Sequence, residues 1–133
     1  MGLVVFRSLG ARVFGRCADF IAATMVKIPR RARGLRLLRT WLSPAQSEQF
    51  NAKGYFDVIG SATGSKYRIQ YGTSMNVYEL DDTGRLKMGW CFVPQGCLVV
   101  GDVMLAQKIA LETFESRALL VAKRFAPIER LRL

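Results

Sequence analysis

Beyond Gly54 the chain settles into short runs rich in aromatic and branched side chains, at residues 55–59, 66–71, 76–80 and 85–93. They are separated by Gly60-Ser61-Ala62-Thr63-Gly64, by Gly72 and by Asp81-Asp82-Thr83-Gly84, and closed by Pro94-Gln95-Gly96. Extended runs joined by such short turn-forming connections predict an antiparallel meander of four strands. Side chains in a strand point alternately to its two faces, so Tyr67, Ile69 and Tyr71 share one side, as do Leu86, Met88, Trp90 and Phe92. Lys66, Arg68, Arg85 and Lys87 fall on the other, which predicts one core face and one wet face.

Helical patterns flank the meander. Ser43 at a cap position, Pro44 at the first helical position and Gly54 as a stop predict a short helix between them. After the strands, Asp102 is placed to cap a helix over residues 103–114. Its expected buried stripe is Ala106, Ile109, Ala110, Thr113 and Phe114, with Lys108, Glu112 and Glu115 at the solvent edge. A further helical stretch is expected over residues 116–125, ending before Pro127.

The N-terminal segment has a different pattern. On a helical wheel Arg12, Arg16, Asp19, Ala23 and Lys27 form one stripe, and Leu9, Val13, Cys17, Phe20, Ile21, Met25 and Ile28 spread over the opposite side. This predicts an amphipathic helix, weakened by Gly10 and Gly15 and therefore in need of a surface to fold against. Pro29 ends it. The arginine-rich run from Arg30 to Arg39 reads in two ways: a solvated linker with Leu35, Leu38 and Trp41 packed on the domain, or a segment that orders on RNA or lipid head groups. The expected fold is α+β, with a short helix, a four-stranded antiparallel meander and a C-terminal helix or helix pair on one sheet face, preceded by a basic amphipathic helical arm. The boundaries are an arm at 1–42, a domain at 43–126 and a tail at 127–133.

Charge sharpens this division. Residues 1–40 hold nine Lys or Arg against one acid, Asp19, and so carry +8 of the formal +10. Charge segregated in this way answers a polyanion or an anionic membrane. An Arg-rich, acid-poor amphipathic start also has the character of an organelle presequence or an interfacial membrane helix.

The composition closes off several chemistries. The chain has no histidine, so Ser-His and Cys-His nucleophile systems are excluded. Cys91 and Cys97 lack the spacing of a zinc or redox motif and read as small hydrophobes. Asp81 and Asp82 have too few oxygen ligands around them for a calcium loop and read as turn formers. No catalytic residue, metal site or cofactor is expected, nor a small-molecule substrate, and three cysteines without a disulfide pattern fit a reducing cytoplasm, with a peripheral place at the membrane.

The motifs Tyr55-Phe56-Asp57-Val58-Ile59-Gly60, Thr63-Gly64 before Tyr67-Arg68-Ile69, Met75-Asn76-Val77, Trp90-Cys91-Phe92-Val93-Pro94 and Gly101-Asp102-Val103-Met104-Leu105-Ala106-Gln107-Lys108 resemble a family of small uncharacterised bacterial proteins. The resemblance covers residues 42–125 and implies no activity, cofactor or catalytic residue. Two functions are expected from the residues themselves. The first is a non-enzymatic module that docks to a protein partner or an anionic membrane surface, with Leu9, Val13, Phe20 and Ile21 as the docking side chains. The alternative is sequence-independent nucleic-acid binding through Arg30, Arg31, Arg33, Arg36 and Arg39 on the arm and Lys66, Arg68, Arg85 and Lys87 on the sheet, with Tyr78 free to stack.

Overall fold

The structure is a computed structural model that describes residues 28–93 and 95–128. Three helices and a five-stranded sheet follow one another as α1 (Arg30–Trp41), α2 (Pro44–Lys53), β1 (Tyr55–Ile59), β2 (Lys66–Gln70), β3 (Val77–Leu80), β4 (Leu86–Cys91), α3 (Val100–Val121) and β5 (Lys123–Phe125). The fold is α+β, and every strand pairs antiparallel with its neighbour in the order β1-β2-β3-β4-β5. α2 has the caps its sequence calls for: Ser43 and Gln46 form a reciprocal capping box, Pro44 starts the helix, and Gly54 stops it at a φ of 74°.

Two elements differ from the sequence reading. The arginine run is an α-helix, and Leu38 on it is completely buried in the same core as Phe56, Ile69, Val77, Trp90 and Met104. The folded unit therefore includes α1 and does not begin at residue 43. Arginine and leucine are both good helix formers, so the run needs only one docked face to hold it. At the other end, residues 123–125 are a fifth strand rather than the end of a helix, with Phe125 opposite Gly89 and Arg124 opposite Trp90.

α1 crosses α3 backbone to backbone. A Cβ at Gly101 would overlap the Gly34 carbonyl and the Leu35 amide, and one at Gly34 would press on Val99 and Asp102. α3 starts at Val100 after an N-cap, Val99, that makes no side-chain bond, so Asp102 sits within the first turn rather than at the cap. There it still meets the positive end of the helix.

The buried face of α3 is not the stripe expected. Val103, Met104, Leu105, Gln107, Lys108, Leu111, Glu115 and Ala118 point inward. Ala106, Ile109, Thr113 and Phe114 are exposed and Ala110 is half-buried. Two charged side chains are drawn inside because each finds partners there. The Lys108 ammonium lies 2.6 Å from Glu112, and Glu115 meets the donors of the β1–β2 turn. The helix kinks at Phe114, where φ is −135° and ψ is 42°.

Candidate anionic-surface interface

At 100° per residue, the buried side of α1 holds Gly34, Leu38 and the half-buried Leu35. Arg31 projects between these positions and is taken up by the sheet: its Nε donates to the Tyr71 hydroxyl at 2.9 Å, a second guanidinium nitrogen donates to the same oxygen, and the group lies over the Tyr71 ring. Arg39, at the opposite margin, rests over Phe50 with 5.7 Å to the ring centroid. Arg30, Arg33 and Arg36 occupy the outward arc, about 140° wide, together with Leu37, Thr40 and Trp41. None of these three arginines forms an ion pair among the described residues.

Leu37 is 48% exposed and Trp41 58% exposed on this arc. Arg30, Arg33, Gly34 and Leu37 also line a cavity of about 300 Å³, whose far side is Val99 and Asp102. The arc thus presents three unpaired guanidinium groups interleaved with two large apolar side chains. The sequence marks the arginines but not Leu37, and Trp41, which one of the two readings of the run packs on the domain, is exposed. The spacing of Arg30, Arg33, Leu37 and Trp41 carries this face, but it becomes readable only once the run is known to be helical.

The sheet arranges its cations differently. Asp57, Arg68, Tyr78, Gly89 and Phe125 form one continuous cross-strand row over all five strands. Arg68 grips Asp57 with bonds of 2.9 and 3.1 Å and lies 4.0 Å from the Tyr55 ring centroid. Burial pushes the Asp57 carboxyl up, but hydrogen bonds from Arg68 and Gln49 outweigh it and hold the group below its ordinary value of 3.8. The Tyr78 ring meets Phe125 edge-on at 5.5 Å, with the Phe125 ring seated over Gly89, where no Cβ intrudes. Lys87 pairs with Glu79 at 3.3 Å. Lys66 and Arg85 are exposed. Lys66 and Lys87 line one open cavity together with Glu79, Asp81 and Asp82, so acidic groups sit among these cations.

A second polar cluster centres on a buried carboxylate. The Glu115 carboxylate accepts from the amides of Ala62 and Thr63 at 2.7 and 2.8 Å, from the Thr63 hydroxyl, and from the Tyr67 hydroxyl at 2.6 Å. Burial raises its pKa, yet these donors more than offset that and leave it below the ordinary 4.5. Burial, then the bond to Glu115, pushes the Tyr67 hydroxyl upward. A carboxylate saturated with protein donors has no lone pair left for a substrate proton, so this cluster pins the β1–β2 turn to α3. Asn76 and Gln107 exchange two amide bonds of 2.9 Å and tie the β2–β3 loop to the same helix.

Asp81 closes its turn by accepting from the amides of Thr83 and Arg85 and from the Thr83 hydroxyl, the turn role expected of it. Among the described residues no three His, Cys, Asp or Glu side chains gather as a metal-holding group. The docking candidates Leu9, Val13, Phe20 and Ile21 lie outside the described residues. No described helix is long and apolar enough to cross a membrane. Comparison with family models, with curated proteins and with solved structures returns no match to this chain.

Proposed function

We propose that this protein is a small non-enzymatic docking module that sits at an anionic membrane surface through the outward arc of α1. The observation that supports this reading is the set Arg30, Arg33 and Arg36, exposed and unpaired among the described residues, with Leu37 and Trp41 exposed between them. Guanidinium groups bind lipid phosphates with two parallel hydrogen bonds. Leucine and tryptophan beside them enter the headgroup region, where an indole ring is at home. A surface of unscreened arginines alone would serve nucleic acid equally well. The nucleic-acid reading, however, calls on a second basic surface with a stacking tyrosine, and Arg68, Lys87 and Tyr78 are already engaged within the sheet.

Co-sedimentation with vesicles tests the proposal. Binding to vesicles containing phosphatidylserine, absent with phosphatidylcholine alone and weakened by salt, is the expected result. Salt-sensitive binding to single-stranded RNA with no binding to the anionic vesicles would replace this reading with the nucleic-acid one.

A further inference from the structure

Part of the exposed face of α3 is apolar. Ile109 is 41% exposed, and Ala106 and Ala110 flank it. Beside them Phe92, Val93, Leu98 and Val103 complete an apolar groove of about 200 Å³, in which Val93 and Leu98 are themselves exposed. This is the stripe that the sequence pattern marks for burial. Nothing among the described residues covers it.

The chain holds a segment of matching character in a suitable place. Residues 9–28 show apolar side chains at Leu9, Val13, Cys17, Phe20, Ile21, Met25 and Ile28, the spacing of a single helical stripe. Gly10 and Gly15 leave such a helix in need of a supporting surface. The segment leads directly into α1, whose first residue, Arg30, shares a cavity with Val99 and Asp102. Their sequence neighbours, Leu98 and Val103, are the near end of the apolar groove. The length also fits: about 30 Å for a 20-residue helix, against about 21 Å from Ala106 to Leu120 on α3.

We propose that residues 9–28 of this chain fold back as an amphipathic helix antiparallel to α3, seating Phe20 and Ile21 in the groove and Cys17 beside Ala110 and Thr113. The direction follows from the entry point. Arg30, two residues past the end of the segment, lines a cavity with Val99 and Asp102 at the start of α3, so a segment lying along α3 has its earlier residues toward the end of that helix. With that apolar face covered, contact with an anionic surface falls to the arc of α1.

Native Cys17 makes the test direct. In the full chain carrying Cys91→Ser and Cys97→Ser, a cysteine is placed at Ala110, at Thr113 or, as a control, at Glu48 on the exposed side of α2, and the protein is mildly oxidised. Cys17 should form an intramolecular disulfide with position 110 or 113 about tenfold faster than with position 48, at a rate independent of protein concentration. Equal rates at all three positions would overturn the proposal. So would disulfide-linked dimers in place of monomers, which would make a second copy the occupant. A measurement without added cysteines guards against a misfolded variant: in the same background, alkylation of Cys17 should speed up about tenfold when Phe20→Asp and Ile21→Asp are introduced together. An unchanged alkylation rate would overturn the proposal as well.

Discussion

Ser61 replaces a broken helical hydrogen bond at Glu115. An unkinked α3 would have the Glu115 amide donate to the Leu111 carbonyl; instead that amide donates to the Ser61 hydroxyl at 3.2 Å, and the Ser61 amide donates to the Leu111 carbonyl at 3.0 Å. The kink at Phe114 thus has a cause of a known kind, a foreign group inserted into the helical ladder. The insertion brings the β1–β2 turn close enough for its amides to reach the Glu115 carboxylate. Gly60 is part of the fit, since a Cβ there would overlap that carboxylate.

Removing the carboxylate should be expensive. Glu115→Ala leaves the buried Tyr67 hydroxyl and the part-buried amides of Ala62 and Thr63 without their acceptor and should lower stability by about 3 kcal/mol, measured by urea unfolding. Ser61→Ala, which removes one acceptor at the exposed mouth of the kink, should cost about 1 kcal/mol.

The same cluster sets a pH dependence. Glu115 has a folded pKa below its ordinary 4.5, so the unfolded chain takes up its proton first as pH falls. The stability it contributes is present above pH 4.5 and is lost as pH drops through the lowered folded value. Tyr67 acts in the opposite sense: its raised pKa gives stability present below pH 10 and lost as pH climbs through the folded value. Unfolding midpoints across pH should show both limbs, and Glu115→Gln should flatten the acid one, leaving the contributions of Asp57 and Asp81.

Much of the architecture is legible in the sequence, in the places where the signal is local. The capping box of α2, the glycine turns and the period-two alternation around Trp90 each act through neighbouring residues. The inward face of α3 is not local. Glu115 looks like a solvent-edge residue until the turn at residues 60–64 is brought up in space, whereas the partner of Lys108, Glu112, lies one turn along the same helix. β5 is three residues long, too short for a periodic signal, and exists because Phe125 has the space above Gly89. On α1 the sequence shows the charges but not the crossing with α3, which depends on two glycines 67 positions apart.

That crossing is itself testable. Gly101→Ala drives a methyl into the backbone of α1, whereas Gly34→Ala meets the Val99 and Asp102 side chains, which can turn aside. Gly101→Ala should therefore destabilise by about 2–3 kcal/mol and Gly34→Ala by less, measured as unfolding midpoints. Leu38→Ala, which opens a cavity in the core, should cost about 2–5 kcal/mol. A negligible effect would separate α1 from the folded unit.

The outer row of the sheet gives a further check. Gly89→Ala displaces the Phe125 ring from its seat, and Phe125→Ala leaves Tyr78 without its edge-on partner. Either change should loosen β5, with faster amide exchange at residues 123–125, while Trp90→Ala should cost about 3–5 kcal/mol as a core truncation.

On the proposed function, the outward arc of α1, and not the total positive charge, makes contact with an anionic surface. The direct measurement compares two variants of the full chain by co-sedimentation with phosphatidylserine-containing vesicles. One is Arg30→Gln, Arg33→Gln and Arg36→Gln; the other is Lys66→Gln, Arg85→Gln and Lys87→Gln, which removes the same charge from the sheet side. At about 1 kcal/mol for each arginine near the surface, the α1 variant should bind more than a hundredfold more weakly. The sheet variant should stay within a few-fold of the parent. Equal losses in the two variants, or full binding by the α1 variant, would contradict the account.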